Sequence, residues 1–461
     1  MTAMPGRDLL RTFLHGDGPR GRALRASAFT VLASQGGNLL RLASNLVLTR
    51  LLVPEAFGLM AIVQVFLTGL QLVSDMGLGG SVIQNPRGDE RRFLDTVWTL
   101  QIGRGVLLWA AASALAVPAA ALYGEPLLAR LMPVAALSFV IQGLRTTNAL
   151  SAARHMTLGR LTVLALASQA LGLVVMAALA FWLRSVWALA LGTLAAAAIG
   201  VAADRAFLPG PRNRLRVERE AARELVRFGK YIFLTSTAAF VIQRSDRALL
   251  GAYLPLDVFG VYSIGWTLAE LVSTTATRLA DRVLFPLYRT RHPLDGAGFR
   301  RAVFRARRLL VGGMLAANAL LAFLGVWLAG VLFDPRYALA GPVVVVVTAA
   351  LVPSIVTAGT TRAALARGDS RSFFVVVTAT AALQVALILL GLDAFGVLGA
   401  VAAVGAAPLM TYPLLARVAR RYASWDPAAD AAFLALALAA HGAACWVHRD
   451  AVAALARVGP G

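Results

Sequence analysis

Residues 57–84, with the sequence FGLMAIVQVFLTGLQLVSDMGLGGSVIQ, are apolar along nearly their whole length and contain one charged residue, Asp75. A helix needs about 20 mainly apolar residues to cross the roughly 30 Å hydrocarbon core of a membrane, so this stretch is long enough to span it. Similar stretches recur along the chain and predict about twelve membrane helices. The predicted spans are residues 27–49, 57–84, 96–122, 127–150, 161–183, 186–208, 231–254, 259–284, 309–333, 339–365, 373–392 and 396–418. The sequence therefore predicts an all-α, polytopic membrane protein.

A thirteenth apolar stretch, residues 429–447, contains Asp430 and His441. Its length fits a span, and its polar residues fit a helix that lies at the membrane surface. Both alternatives stay open from the sequence.

The composition supports a membrane protein and argues against other classes. Of the 461 residues, 59% are hydrophobic and 15% are charged. The net charge of +21 comes from short basic clusters between apolar stretches, so we expect a lipid partner and no nucleic acid. Cys445 is the single cysteine and the five histidines are widely spaced, so neither a disulfide nor a metal site is expected. The sequence contains no phosphate-binding glycine loop, and no cofactor is expected.

The distribution of basic residues predicts the orientation in the membrane. When the predicted spans alternate, the basic clusters fall on one side, which the positive-inside rule assigns to the cytoplasm. We therefore expect an inner-membrane protein with a cytoplasmic N-terminus. The predicted segments are a tail at 1–26, a first lobe at 27–208, a basic cytoplasmic linker at 209–227, a second lobe at 228–421 and a C-terminal tail at 422–461.

A short motif occurs once in each half of the chain. Pro54 precedes Phe57-Gly58 at the second predicted span, and Pro255 precedes Phe259-Gly260 at the eighth. The two sites have the same predicted topology, as expected of a repeat whose axis lies along the membrane normal.

Polar side chains form faces on four of the predicted spans. Ionisable groups at membrane depth usually face a bundle interior or a hydrated cavity, so these faces predict a cavity between the two lobes. The first span contributes Gln35, Asn38, Arg41 and Asn45; the second Gln64, Thr68, Gln71 and Asp75; the seventh Ser236, Gln243, Arg244, Asp246 and Arg247; and the eighth Ser263, Thr267, Glu270, Thr274, Arg278 and Asp281.

Structural explanations compete with a cavity role for several of these residues. Arg104 on the third span and Arg145 on the fourth lie near enough to helix ends to reach the membrane surface instead. Asp75 and Glu270 are either partners of nearby arginines or candidates for ion coupling.

Three stretches carry a resemblance to a known family. These are LLVPEAFG at 51–58 continuing through LVSDMGLG at 72–79, TVWTLQ at 96–101, and DRALLG at 246–251 followed by FGVY at 259–262. The chain resembles polysaccharide-exporting flippases of the Wzx and WzxC type, in the MOP (multidrug, oligosaccharidyl-lipid, polysaccharide) superfamily. The resemblance implies a fold like that of the MATE transporters of this superfamily, with two six-helix lobes related by a pseudo-two-fold axis around a central cavity. It also implies alternating access.

The implied activity is translocation of polyprenyl-pyrophosphate-linked oligosaccharide repeat units for exopolysaccharide, capsule or O-antigen synthesis. The implied partners are a polysaccharide polymerase and a chain-length regulator. On this basis Arg41, Arg104, Arg244 and Arg247 are expected to bind the pyrophosphate, because guanidinium groups bind phosphate oxygens in pairs of hydrogen bonds. Gln35, Asn38, Gln64 and Gln71 are expected to bind sugar hydroxyls, and Asp75, Asp246 and Glu270 are the candidates for ion coupling.

Three other classes compete with this interpretation. A lipid II flippase shares the superfamily, and so does a multidrug or cation antiporter, whose cavity we expect to be richer in acidic and aromatic groups. A membrane-embedded polysaccharide polymerase or ligase is the enzyme alternative. We expect no enzyme, because no predicted external loop is long enough to house a catalytic domain.

Overall fold

The computed structural model describes residues 19–74, 77–155, 157–290, 296–360 and 362–459, and those ranges contain helices and no strand. This confirms the all-α prediction. The helices are α1 (Pro19–Leu51), α2 (Pro54–Val73), α3 (Leu78–Gln84), α4 (Arg91–Tyr123), α5 (Leu128–Gly143), α6 (Asn148–Arg154), α7 (Leu158–Leu183), α8 (Trp187–Phe207), α9 (Arg219–Tyr253), α10 (Leu256–Thr290), α11 (Ala297–Leu332), α12 (Ala340–Val356), α13 (Arg362–Ala366), α14 (Ser370–Met410), α15 (Tyr412–Arg421), α16 (Pro427–Val447) and α17 (Arg449–Ala456).

Eight helices in the described ranges are long and apolar enough to cross a membrane, and the number rises to nine if α5 and α6 form one bent span. Helix α16 is among the eight, so the stretch left open by the sequence satisfies the criterion for a span. Helices α1, α9 and α10 are not among them. Each of these three carries one of the polar faces predicted from the sequence.

Several predicted spans differ from the observed helices. The second is interrupted at Gly77, which has φ 60° and precedes α3. The fourth is bent by 62° between α5 and α6. The eleventh lies in α14, which is kinked at Gly396 with φ 59° and ψ −141°, and the twelfth runs from α14 into α15. Glycine tolerates these positive φ values because it has no Cβ.

The chain divides into two compact units. Unit 1 contains residues 1–52 and 66–234, and unit 2 contains residues 53–65 and 235–461. Helices α2 and α9 therefore each contribute residues to both units. The predicted lobe boundaries at 208 and 228, and the cavity between the lobes, stay predictions.

Unit 1 has an apolar cluster at the end that the sequence assigns to the cytoplasm. Phe93 and Val97 of α4 are fully buried there against Val82 of α3 and Leu225 of α9. The first turns of α9 therefore belong to the core of unit 1.

Unit 2 brings the two copies of the repeated motif into contact. A Cβ at Gly58 would lie 2.2 Å from the Leu256 carbonyl oxygen, and a Cβ at Gly260 would lie 1.9 Å from the Pro54 carbonyl oxygen. Since no Cβ fits at such distances, α2 and α10 can cross this closely only where both positions are glycine. Small residues allow this close backbone approach in membrane helix pairs.

Candidate functional site

Arg247 on α9 is the centre of a charged cluster in unit 2. Its side chain is 9% exposed, and its guanidinium donates a 2.8 Å hydrogen bond to the Glu270 carboxylate of α10. The guanidinium carbon lies 5.3 Å from the centre of the Trp266 ring, within range of a cation–π interaction. The Arg247 Nε is buried and has no hydrogen-bond partner. The cluster thus holds a guanidinium that retains capacity to bind an acceptor.

Asp246 lies beside this cluster and is almost completely buried, with 1% exposure. The hydroxyl of Tyr262, on α10, is 3.4 Å from the Asp246 carboxylate. Tyr262, Trp266 and Glu270 are four residues apart on α10, so they occupy one side of that helix. The sequence interpretation included Glu270 in the polar face through Ser263 and Thr267, but it missed Tyr262 and Trp266.

Arg244 lies one turn before Arg247 and is half-buried, and its Nε is also buried without a hydrogen-bond partner. Between them, Ser245 accepts a 3.0 Å hydrogen bond from Gln384 of α14, which also donates to the Ile242 carbonyl at 2.9 Å. These bonds fix α9 against α14 and hold Arg244 and Arg247 in place.

A second candidate site lies in unit 1, where the structure brings together the predicted residues Arg104 and Gln71. Arg104 of α4 donates to the Ser74 hydroxyl at 3.1 Å and to the Gln71 carbonyl at 2.8 Å. Both residues line a pocket of about 220 Å³, together with Gln101, Gln142 and Arg145. The pocket therefore offers two guanidinium groups and several amides, a set that suits a polar or anionic ligand.

The first helix places Asn38 and Arg41 together, because the Arg41 guanidinium donates to the Asn38 side-chain oxygen. Asn38 is 7% exposed, whereas Arg41 is exposed and Gln35 is half-buried. Gln64 of α2 is exposed. Asp75 lies outside the described residues. Glu270 forms an ion pair with Arg247, which is one of the two explanations that the sequence offered for Glu270.

Arg145 lies close to a helix end, as the sequence indicated, in the break between α5 and α6. There it donates a 2.7 Å hydrogen bond to Asp204 of α8, whose side chain is 4% exposed. The backbone bend positions the guanidinium, and a periodicity argument that assumes a continuous helix cannot detect it.

A buried network around α16 was not anticipated from the sequence. Arg307 of α11 pairs with Asp430 of α16 at 2.7 Å, and their side chains are 3% and 5% exposed. Tyr412 donates to the same carboxylate at 2.7 Å, and Arg307 also donates to the Val356 carbonyl at 2.7 Å. Arg307 and Asp430 are 123 positions apart, so no local spacing signalled the pair.

Comparison with known proteins places the chain in a family. Residues 47–340 match the family model described as polysaccharide biosynthesis protein. A curated relative, the succinoglycan biosynthesis transport protein ExoT of Rhizobium meliloti, is 23% identical over 265 residues, which is 57% of this chain and 53% of that protein. The chain therefore spans about half the length of this relative.

Solved structures share the fold. An inward-facing multidrug resistance MATE family transporter of the MOP superfamily matches with a TM-score of 0.63 and 13% identity, over 84% of this chain and 95% of that one. The lipid II flippase MurJ, in an inward closed conformation, matches with a TM-score of 0.61 and 12% identity, over 92% of this chain and 99% of that one.

The chain belongs to the polysaccharide biosynthesis protein family and is a multi-pass membrane protein with the fold of the MATE and MurJ transporters. The resemblance to polysaccharide flippases noted from the sequence is confirmed, and so is the MATE-like fold. The curated relative is a transport protein, and the solved neighbours are a transporter and a flippase, in agreement with the expectation of a transporter rather than an enzyme.

Proposed function

We propose that this protein moves polyprenyl-pyrophosphate-linked oligosaccharide repeat units from the cytoplasmic to the outer leaflet of the inner membrane, by alternating access, for the synthesis of an exopolysaccharide, capsule or O-antigen. The family match, the name of the succinoglycan transport relative and the fold shared with a lipid II flippase support this proposal. The basic clusters in alternate loops support a cytoplasmic N-terminus. A polysaccharide polymerase and a chain-length regulator are the proposed protein partners.

Arg247 carries the proposal. A buried guanidinium in a membrane helix has to be paired, since an isolated charge there is costly. Arg247 is paired with one carboxylate, rests against Trp266 and keeps a buried Nε without a partner. We expect a pyrophosphate oxygen to accept a hydrogen bond from this Nε, because a charge-assisted hydrogen bond to phosphate is about twice as strong as a neutral one.

The remaining predicted residues take supporting roles in the proposal. Arg244 lies one turn from Arg247 and adds a second positive charge for the pyrophosphate. Arg104, Gln71 and the pocket of unit 1 bind the headgroup at another stage of transport, and Arg41 with Asn38, Gln35 and Gln64 contributes polar contacts to the sugars. Asp246, Glu270 and Asp75 are the candidates for ion coupling.

The decisive experiment deletes the gene and measures both the surface polysaccharide and the lipid-linked repeat unit in the cytoplasmic leaflet. We expect the polysaccharide to be lost and the repeat unit to accumulate. Complementation with Arg247→Gln should restore at most about a tenth of the export, the loss expected when a charge-assisted bond worth about 1.5 kcal/mol or more is removed. Arg300→Gln is the matched control, because Arg300 is an exposed arginine on α11.

Other outcomes would support the competing classes. Normal polysaccharide with altered drug or cation tolerance would indicate an antiporter. A lethal deletion with arrested cell-wall synthesis would indicate a lipid II flippase. Wild-type export by an Arg247→Gln protein present at normal levels would remove Arg247 from the mechanism.

A further inference from the structure

Residues 209–218, which we call the strap, connect α8 to α9 without forming a helix. Their backbone is tied to side chains of α4 at three alternate positions. The amides of Arg214, Arg216 and Glu218 donate to Asp95 at 2.9 Å, Thr99 at 3.0 Å and Thr96 at 3.0 Å, respectively. The Thr99 hydroxyl also donates to the Arg216 carbonyl at 2.9 Å.

Asn213, which directly precedes Arg214, also ties the strap to unit 1. The Asn213 amide donates to the Thr147 hydroxyl at 2.7 Å, and its side-chain oxygen accepts from the Thr147 backbone amide at 3.1 Å. Residues 213–218 are therefore a non-helical segment fixed to unit 1, whereas residues 219–227 of the basic linker predicted at 209–227 belong to α9.

The strap crosses the face of α4 that is exposed and apolar. Val106 and Val117 are seven and 18 residues after Thr99, so at about 100° per residue all three side chains lie within roughly 20° of one direction. Val106 is 44% exposed and Val117 is 68% exposed. Exposed valines along a membrane helix are typical of a surface that contacts lipid. Thr99 lies near the start of that helix, so the strap lies at the depth of the membrane–water interface.

The strap presents basic and apolar side chains alternately. Arg212, Arg214 and Arg216 are exposed, while Leu215 and Val217 are 72% and 55% exposed. The nearby acidic groups are largely engaged elsewhere. Glu218 pairs with Arg87 at 2.6 Å, and Asp95 accepts the Arg214 amide. Glu220, on the first turn of α9, is exposed and is the acid that offsets part of this charge.

We propose that the strap is a binding site for anionic phospholipid headgroups of the cytoplasmic leaflet. The arginines bind the headgroup phosphates, and Leu215 and Val217 enter the interfacial layer beside the exposed valines of α4. Each basic residue near an anionic membrane surface strengthens the attraction to it, so three of them give selectivity for anionic over zwitterionic lipid. This inference does not depend on the proposed transport substrate.

The first test locates the strap by fluorescence quenching. Because Cys445 is the single cysteine, a Cys445→Ser, Leu215→Cys protein can carry one environment-sensitive fluorophore at position 215. In reconstituted vesicles, we expect quenchers attached to lipid chains near the headgroup to quench the fluorophore. Val117→Cys serves as the lipid-exposed reference. Quenching at position 215 by aqueous iodide alone would overturn the proposal.

The second test measures lipid selectivity by native mass spectrometry of the full chain with phosphatidylglycerol or phosphatidylcholine. We expect phosphatidylglycerol to bind preferentially, and the Arg212→Gln, Arg214→Gln, Arg216→Gln protein to lose at least about tenfold of that preference. The corresponding triple lysine variant should retain it, which separates charge from folding.

Three exposed arginines of α11 supply the matched control, Arg300→Gln, Arg301→Gln, Arg305→Gln. An equal loss in this control, or equal competition by free glycerol phosphate, would contradict a lipid site at the strap.

Discussion

At the residue scale, two buried arginines, Arg307 and Arg247, are paired with carboxylates from other helices. The side chains of Arg307 and Asp430 are almost fully buried. In the pair of Arg247 and Glu270, the Glu270 side chain is 31% exposed. Tyr412 and the Val356 carbonyl enclose the first pair, and in both pairs the arginine Nε is buried without a hydrogen-bond partner. We interpret the first pair as structural because both of its side chains are buried, and the second as functional because its carboxylate is accessible.

Removal of one partner of the buried pair should be strongly destabilising. Asp430→Leu leaves the Arg307 charge buried and unpaired, at an expected cost of about 3–5 kcal/mol. Adding Arg307→Met should recover most of that loss, since no isolated charge then remains. Thermal unfolding midpoints in detergent measure both effects. Glu90→Gln is the control, because Glu90 is exposed and ion pairs at the protein surface contribute little to stability. A double variant as unstable as Asp430→Leu would contradict this explanation.

Asp369 should make stability depend on pH. Hydrogen bonds from the side chain and backbone amide of Ser372, and from the Tyr422 hydroxyl, lower the pKa of the Asp369 carboxyl below its ordinary value of 3.8. A lowered pKa in the folded protein stabilises it above the ordinary value, and that stabilisation disappears as the pH falls through the lowered pKa. The difference in unfolding midpoint between wild type and Asp369→Ala should therefore be larger at pH 7 than at pH 3. A pH-independent difference would mean that capping of α14, not charge, accounts for the effect.

The sequence predicted individual polar residues better than their partners. Arg247 and Glu270 were recognised because an ionisable group in an apolar stretch stands out, and the periodicity placed each on a polar face. Trp266 and Tyr262 were missed because aromatic side chains are unremarkable in a membrane helix. Arg307 and Asp430 were missed because their contact depends on how α16 packs, which no local pattern encodes.

At the element scale, two glycines determine how closely α2 and α10 approach. Gly58→Ala or Gly260→Ala places a Cβ within about 2 Å of a carbonyl oxygen, so the backbones must separate and we expect a large fall in folded yield. Gly313→Ala on α11 is the control, because no atom lies within 4 Å of its Cβ position. That substitution should be neutral or stabilising, since alanine favours helix by about 1 kcal/mol. Size-exclusion chromatography of purified protein measures the folded yield, and equal yields for all three would refute a close crossing.

Helix breaks were the elements least accessible to prediction. Hydropathy averages over about 20 residues, so it reports an apolar stretch whether the helix is straight, bent after Gly143 or kinked at Gly396. The sequence predicted the strap as part of a basic cytoplasmic linker, but it did not predict the attachment to α4. An extended segment without alternating burial has no periodic hydropathy pattern from which its position could be predicted. Its hydrogen bonds to Asp95 and Thr99 depend on how the chain folds.

At the scale of the whole molecule, the proposed substrate carries negative charge outward, which the membrane potential favours. The potential contributes about 2.3 kcal/mol per charge per 100 mV, so transport does not require a coupling ion. In vesicles, we expect flipping to respond to an imposed potential. A response to a pH or Na⁺ gradient at zero potential would instead implicate Asp246, Glu270 or Asp75 in ion coupling, and Asp246→Asn, compared with Asp334→Asn, would identify the carboxylate.

The contact between Gly58 and Gly260 has a consequence for biosynthesis. The two glycines are separated by about 200 residues, and a ribosome adds roughly 5–20 residues per second. Residues 53–65 therefore leave the ribosome about 10–40 s before the segment of α10 against which they pack is made. During that interval a helix surface shaped to fit one particular neighbour is exposed to the insertion machinery and to lipid. The early part of this chain thus has to persist in a half-assembled state, and the assembly of unit 2 waits for the translation of its later helices.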